Sequence, residues 1–595
     1  MTMKWVLAES EAGVAEKLSE QACLHPLIAR LMVNRGITDP VTARSFLSSD
    51  LSGLSDPRIF TDMEKAVRRI RDAVSAREKI VVYGDYDVDG VTAAAILFLA
   101  LQDMGATVEC YIPDRMTEGY GLNSGAIRKL KSSGAGLVVT VDCGIGALLE
   151  ADLARELGLD LIITDHHEFS RLNSSNSVNG LNVTTDVDTV PDLPRAYALL
   201  HPALVSPESS APARNGLIDL TGAGVAFKLA QSLLSAGPGE ERMLPFLALA
   251  ALGTVADVGR LTGENRILVK HGLAILSSDG AALRPGIAAL KRVAGLNDKK
   301  ISAGNVGFTL APRINASGRL ESADMAFRLL VMESAYEASE LALALDAVNR
   351  ERQSVEEVIW EEARRMSRKL DMDGTGAILL SSPEWHPGVV GIVASRIADE
   401  FYRPTALISV KDGVGKGSAR SVPGFDLYHA FNECSDLLLG FGGHMYAAGF
   451  TVAEERISGL RERLNEVALK GVGEKGFVRT MRVDGAVELE ELTLDLMHEI
   501  EQLAPFGQGN PEPRLGARGL EVVSSRIVGN NHLKLQLRQK KGTTFGAIAF
   551  NRGTLHGRKV REGARVAAVF TPRINTWNGK TAVELEIRDL KEEKG

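Results

Sequence analysis

Cysteine is scarce in this 595-residue chain. Cys23, Cys110, Cys143 and Cys434 form no C-x-x-C pair and are too few for a disulfide framework, so a reduced, cytoplasmic setting is expected. Long apolar runs are missing as well. The longest, "MLPFLALAALGTVA" from Met243, is too short to span a bilayer and reads as a buried helix. The opening "MTMKWVLAESEAG" has no apolar core before its first acids, which does not fit a secretory signal. No membrane association is expected, and no internal repeat is evident. An overall excess of positive charge is also absent: the net charge of −8, taken alone, argues against a nucleic-acid partner. The charge is unevenly spread, however. From Arg514 to Gly595 there are 17 Lys and Arg against 7 Asp and Glu, a local +10 that leaves −18 for the remainder. One end of the chain is therefore prepared for a polyanion.

What is present is ordinary globular material, 45% hydrophobic and 24% charged, in a chain long enough for about three to five domains. From Lys79 the runs "KIVVYGD", "ATVECYIPD", "GLVVTVDCG" and "LDLIITDHH" are β-rich, bounded by Gly and Asp and separated by helical stretches. That pattern predicts an α/β domain on a parallel sheet. Helices are expected before Ser75. Two Ser-, Pro- and Asn-rich stretches between Phe169 and Asn215 read as long surface loops, after which one helix is expected to continue from "DLTGAGVAFKLAQSLLSAG" to "FLALAALGTVADVGRL". Ser322 to Lys369 lacks Pro and Gly and reads either as one long helix joining two lobes or as several surface helices. A second α/β segment follows from Gly376. The tail from about Val478 alternates short strands such as "LKLQLRQ", "RVAAVFTPR" and "TAVELEIRDL" with turns such as "TWNGK", which predicts a small all-β barrel.

The densest chemistry lies in "DYDVDG", with Asp85, Asp87 and Asp89 at alternate positions. The string matches the opening of an EF-hand loop, but position 12 of that loop falls on Ile96 and a strand, not a helix, enters it. In extended backbone the three carboxylates share a face. Two further strands end alike, one in Asp142 and one in Asp165, His166 and His167. Ligand crevices of open α/β sheets lie at such strand ends. Carboxylates brought together there repel unless cations neutralise them, and oxygen-rich sites with one or two imidazoles suit Mn²⁺ or Mg²⁺ better than a structural zinc. Two such ions in a carboxylate site point to phosphoester hydrolysis.

In order, spacing and flanks, "DYDVDG", "VDCGIG" and "TDHH" resemble the successive motifs of the DHH phosphoesterase superfamily. Further stretches, "IPDRMTEGYGLN", "GTVADV", "PRINASGRL", "GVVGIVASRI", "GSARS", "GGHMYAAGF" and "PFGQGNPEP", resemble motifs of its bacterial single-strand-specific 5′ to 3′ exonucleases, so the match runs from about Pro40 to the last strand. The resemblance implies a two-lobed core, a parallel-sheet DHH domain and a smaller DHH-associated α/β domain joined by a long helix, followed by a C-terminal OB-fold barrel. On this reading residues 1–75 form an N-terminal helical extension, 76–321 the catalytic domain, 322–371 the linker helix, 372–475 the DHH-associated domain and 476–595 the nucleic-acid-binding barrel.

By motif, the resemblance further implies that Asp87, Asp89, His166 and Asp257 ligate two Mn²⁺ or Mg²⁺ ions and that Asp142 bridges them. Asp85 is either a ligand or the orienter of a neighbour. His167 acts with Asp142 in catalysis by positioning phosphate or a water. "GVGKGSARS" lacks the spacing of a P-loop; instead Ser418 and Arg420, with Arg115 facing them from the first lobe, resemble a pocket for a 5′-terminal phosphate, which a guanidinium grips bidentately. Arg313, Asn315, Arg319, Ser395, Arg396 and His444 are expected along the strand's path, and surface ion pairing is the alternative for the arginines. In the barrel, Lys534, Arg538 and Arg573 with Phe550, Phe570 and Trp577 offer charge and stacking faces for single strands. The phenylalanines equally suit the barrel core, whereas Trp577 in its hairpin suits exposure. The chain departs from the family pattern after His167 and at Gly259–Arg260.

The implied activity is two-metal hydrolysis of single-stranded DNA from its 5′ end to mononucleotides, in recombination and repair. The enzyme is expected to be a monomer, with single-strand-binding protein and a RecQ-type helicase as partners. Two other readings stand beside it: a nanoRNA or cyclic-dinucleotide phosphodiesterase, and a catalytically silent DHH scaffold for replication.

Overall fold

The computed structural model describes residues 3–9, 13–115, 117–168, 192–206, 216–473, 476–555 and 560–593. It divides into two compact units: Met1–Lys4, Pro312–Met325 and Glu340–Met481 in one, and Trp5–Ala311, Ala326–Ser339 and Arg482–Gly595 in the other.

The larger unit is built on a five-stranded, all-parallel sheet of β1 (Lys79–Tyr83), β2 (Thr107–Tyr111), β3 (Ala135–Val141), β4 (Asp160–Thr164) and β5 (Ala198–Leu200), ordered β2-β1-β3-β4-β5. The short β5 was not expected. It lies between the two Ser- and Asn-rich stretches expected to be loops, most of which fall outside the described residues. Strands β1, β3 and β4 are buried along nearly their whole length, which is why they read as continuous apolar runs. Strand order reverses between β1 and β3, the place where open α/β sheets leave a crevice at their carboxyl ends.

Helix α1 (Val88–Asp103) follows β1 and is buried on almost every face. The expected single helix after Thr221 is two: α2 (Gly222–Leu234) ends at Ser235 with φ 50°, and α3 (Leu244–Ala256) begins with Met243 as N-cap and Pro245 in its first turn. In α3, Phe246, Leu247, Leu249 and Leu252 are all buried, each contributing about 1.5–3 kcal/mol through apolar burial. That burial fixes the axis that carries Asp257 at its end.

The barrel lies in the same unit: β11 (Leu515–Val528), β12 (His532–Gln539), β13 (Thr544–Ala549), β14 (Arg565–Trp577) and β15 (Lys580–Glu592) close in the order β11-β12-β13-β15-β14-β11. Its core is shared with the N-terminal helices through Leu18, Leu27, Ile28, Leu31 and Met32, so that region packs on the barrel and is not a loose extension. Barrel and sheet domain are tied by Arg266, 2% exposed, whose guanidinium donates to the Phe46, Gln502, Leu503 and Ala504 carbonyls and to Ser49 Oγ.

In the smaller unit, the sheet β9-β10-β8-β7-β6 consists of β6 (Ile378–Ser382), β7 (Thr405–Lys411), β8 (Val414–Arg420), β9 (Gly440–His444) and β10 (Ala447–Ala453), with only β6 and β7 parallel. Helix α4 (Val390–Phe401) packs over β7 and β8. The helical stretch from Ser322 to Lys369 is broken: one helix covers Asp324–Val331, and a second of 33 residues covers Ala335–Ser367.

Candidate metal centre

At the sheet's reversal point the chain leaves β1 through Asp85 and enters α1 with Asp87 as its N-cap, the Asp87 carboxylate accepting from the Gly90 N–H at 3.0 Å. Asp cap residues are favoured there because they satisfy an otherwise unpaired helix N–H. Asp89, in the first turn and 1% exposed, accepts from the Gly222 and Ala223 N–H groups at 2.6 and 3.0 Å, so the positive N-terminus of α2 helps to hold its charge. Asp142 ends β3 with φ 62°, a left-handed conformation that an Asp tolerates better than most residues.

After β4, Asp165 is buried and spends its carboxylate on support: it accepts from the N–H groups of Ile145, His166 and His167 and pairs with His167 Nδ1 at 2.8 Å. Burial alone would raise its pKa, but the His167 hydrogen bond and charge outweigh it and hold it at about 2. His167 responds in kind: burial lowers its pKa, the Asp165 contact raises it more, and it stands at about 9. The Tyr120 hydroxyl lies 3.1 Å from the same ring. His166 is driven the other way, to about 3, by burial and then by the neighbouring His167 charge. One imidazole is therefore a neutral donor suited to a metal and the other a cation suited to phosphate.

Asp257 closes the set from the C-terminus of α3. A carboxylate there faces the negative end of the helix dipole, the wrong end for an anion without a cation beside it.

These side chains converge. Ligand atoms of Asp85, Asp87 and Asp142 lie within 4.8 Å of one another, as do those of Asp89, His166 and Asp257, and those of Asp142, His166 and His167. Asp142 Oδ1 and His166 Nε2 are 3.0 Å apart, yet neither has a hydrogen-bond partner, and Asp85 Oδ1 is likewise buried without one. Burial and mutual repulsion raise Asp85 and Asp257 to about 8 and Asp89 to about 7, and push Asp142 well above the carboxylate range. Unsatisfied buried acceptors and four carboxylates held above their ordinary pKa are what a site for hard divalent cations presents before the cations are counted. The donor set fits Mn²⁺ or Mg²⁺.

Sequence reasoning left the support unassigned. A Cβ on Gly222 would lie 2.6 Å from Asp142 Oδ1, and one on Gly253 would lie 2.5 Å from Asp89 Oδ1, so both positions need glycine for close approach. The two glycines of "TGAG" at the start of α2 and the "GYG" around Tyr120 were the available signals.

The expected phosphate residues fall in both units. In the smaller unit, Arg420 donates to Ser418 Oγ at 3.0 Å, and the start of α4 comes close to both because residue 391 is glycine; a Cβ there would sit 2.8 Å from Ser418 Oγ. A helix N-terminus beside a guanidinium and a hydroxyl can hold an anion. Arg319 donates to the Gly388 carbonyl and Arg313 pairs with Asp346 at 2.9 Å. Asn315 shares their helix, Ala311–Leu320. Ser395 and Arg396 lie on α4, but Arg396 is held by Glu356 and Glu357 and stacks on Trp360, so ion pairing is its observed state. His444 is exposed at the end of β9. In the larger unit, Arg115 lies over the Tyr86 ring.

On the barrel, the expected free cations have partners: Lys534 pairs with Glu584, Arg538 with Glu521, and Arg573 with Glu512 and Glu586. Phe570 is core, Phe550 is half exposed and Trp577 is 74% exposed. The tail's net charge thus overstates the charge free to meet a polyanion.

Family models match three stretches: the DHH family N-terminal domain over residues 79–254, the DHHA1 domain over 374–470 and the RecJ OB domain over 483–589. The chain is 39% identical over 591 residues to the single-stranded-DNA-specific exonuclease RecJ of Bacillus subtilis, covering 99% of this chain and 70% of that one. It is 33% identical over 610 residues to that of Escherichia coli, covering 99% and 100%. Among solved structures, RecJ from Thermus thermophilus in complex with Mn²⁺ is similar with a TM-score of 0.79 and 30% identity, covering all of this chain and 80% of that one. A magnesium complex from the same organism matches with a TM-score of 0.74 and 29% identity over all of this chain and 79% of the other.

Proposed function

Because the chain belongs to the RecJ family, we propose that it is a metal-dependent exonuclease specific for single-stranded DNA, which it degrades from the 5′ end to mononucleotides. The observation that carries this reading is the convergence of Asp142 Oδ1 and His166 Nε2, both buried and without a hydrogen bond, between two carboxylate groupings. Asp85, Asp87 and Asp142 would hold one ion, Asp89, His166 and Asp257 the other, with Asp142 between them. When bound, two such ions activate a water and neutralise charge on the phosphoryl group.

The chain's own residues supply the rest. Cationic His167, fixed by Asp165 and Tyr120, offers its charge to the scissile phosphate. Ser418 and Arg420, with the α4 N-terminus, are suited to the terminal phosphate, and Arg115, Arg313, Asn315, Arg319, Ser395, Arg396 and His444 are assigned to the strand's path. Trp577 offers a stacking face on the barrel. The division at residues 75, 321, 371 and 475 stands as our domain assignment.

An enzyme confined to single strands depends on an activity that opens duplex and on a protein that keeps strands apart. A RecQ-type helicase and single-strand-binding protein meet those needs, in recombination and repair. No helix among the described residues is long and apolar enough to cross a membrane; the four cysteines are free, which agrees with a cytoplasmic setting.

The test compares rates on a long 5′-phosphorylated single strand and on dinucleotides in Mn²⁺. Faster degradation of the long strand supports the exonuclease; hydrolysis of dinucleotides alone assigns the chain to the small-substrate phosphodiesterases of its superfamily.

A further inference from the structure

Directly beyond Asp257 the surface opens into a groove of about 610 Å³ between the sheet domain and the barrel, within the larger unit. This is an ordinary size for a ligand cleft. Ala256, Gly259, Gly304 and Gly307 line it, Arg514 and Arg588 lie on the barrel side, and two large apolar side chains, Val258 and Phe308, also line it.

Both are out of place for a resting surface. Phe308 is 88% exposed on a single π-helical turn, Val306–Leu310, a rare form that recurs at functional sites. Val258 is 67% exposed and has φ 60°, a conformation strained for a β-branched residue. Folding gains little from either side chain, since each is left largely in water. The groove is also well supported: the Leu261 N–H donates to the Gln508 carbonyl at 2.7 Å, and a Cβ on Gly507 would lie 2.7 Å from Leu261 Cδ1. Arg588 is neutralised by Glu586 and by Glu512, which also lines the groove, so Arg514, without an ion pair among the described residues, is the cation left there to meet an anion.

We propose that Val258 and Phe308 clamp a nucleobase of the DNA strand beside the metal centre, with Phe308 as the stacking face and Val258 as the opposing contact, and Arg514 meeting an adjoining phosphate. The occupant is a single strand, because bases inside a duplex have both faces covered by their neighbours and cannot be seated between two side chains, whereas a base of a single strand can. The inference rests on the exonuclease reading and adds to it a specificity element: a base that must leave its partner to be seated next to Asp257.

The experiment uses the full chain in chelator with 5′-phosphorylated 20-mers carrying 2-aminopurine at one position at a time, whose fluorescence falls on stacking. Wild type is expected to show extra quenching at one or two neighbouring positions. Phe308→Ala should lose it and, in a parallel assay with Mn²⁺, raise KM for single-strand degradation about tenfold to a hundredfold, the usual weight of one aromatic stack; Phe308→Tyr should restore both. Val258→Gly, which suits a φ of 60°, should keep Tm and weaken the same signal. Quenching and KM unchanged in Phe308→Ala would overturn the proposal while leaving the exonuclease intact. A wild type inactive on single strands in Mn²⁺ would instead overturn the reading beneath it and this inference together.

Discussion

Asp142 Oδ1 and His166 Nε2 approach to 3.0 Å from the ends of neighbouring parallel strands, and neither makes a hydrogen bond. Two buried polar atoms this close, each unsatisfied, are costly unless both address a third body. A divalent cation is the simplest such body, and the catalytic role proposed for the cluster depends on it.

Replacing Asp142 by Ala removes the carboxylate common to two of the groupings. Mn²⁺-dependent hydrolysis should fall by at least about a hundredfold, more than the loss of an outer-shell partner costs, while affinity for single-stranded DNA in chelator stays within a few-fold. Rates and a binding titration on the same preparation check this.

Glycine at 253 should matter although it ligates nothing. A Cβ there would meet Thr92 Oγ1 and Asp89 Oδ1, so Gly253→Ala should displace Asp89 and weaken Mn²⁺ binding by about ten- to a hundredfold. Calorimetric titration of Mn²⁺ measures it, with Tm reporting that the fold persists.

Metal removal should leave a pH signature. In the metal-free protein Asp85 and Asp257 titrate near 8 and Asp89 near 7, all above the unfolded value of about 4. Between those limits the folded chain binds more protons than the unfolded one, so stability falls as pH rises from about 4 to 8. Saturating Mn²⁺ should abolish that slope. Tm against pH, with chelator and with Mn²⁺, checks the sign.

Much of this was legible because the chemistry is local. "DYDVDG" and "TDHH" each place several donors at one strand end, and parallel-sheet topology brings strand ends together without knowledge of the rest. Asp257 was found through its motif, since nothing in "GTVADV" alone separates a ligand from a cap. Asp85, uncertain in the sequence, falls into one of the groupings. What stayed hidden depends on distant partners. The neutralisation of Lys534, Arg538 and Arg573 comes from glutamates at least 13 residues away in sequence, and charge counting assumed those cations free. The break after Ser235 was signalled by Gly237-Pro238-Gly239 but outweighed by the apolar helical runs to either side of that turn, and β5 was hidden by the polar stretches around it.

Those pairings lead to a contrast on the barrel. Trp577→Ala should weaken single-strand binding by about 1–3 kcal/mol, whereas Arg573→Ala, whose charge is already spent on Glu512 and Glu586, should cost less than Trp577→Ala. Fluorescence anisotropy at one fixed salt concentration compares them.

Arg266 serves five acceptors in the packed junction between the N-terminal helices, the sheet domain and the barrel. Arg266→Met should cost about 3 kcal/mol or more, since each abandoned buried acceptor is expensive, and Arg266→Lys should recover only part of it. Denaturant unfolding of the three proteins gives the comparison.

Most directly decisive is the product pattern from end-labelled DNA, single-stranded and duplex, incubated with Mn²⁺, Mg²⁺ or chelator. The expected result is mononucleotides released from the 5′ end of the single strand with either metal, nothing with chelator, and blunt duplex left intact. Equal degradation of duplex, release beginning at the 3′ end, or undiminished activity in chelator would contradict the account.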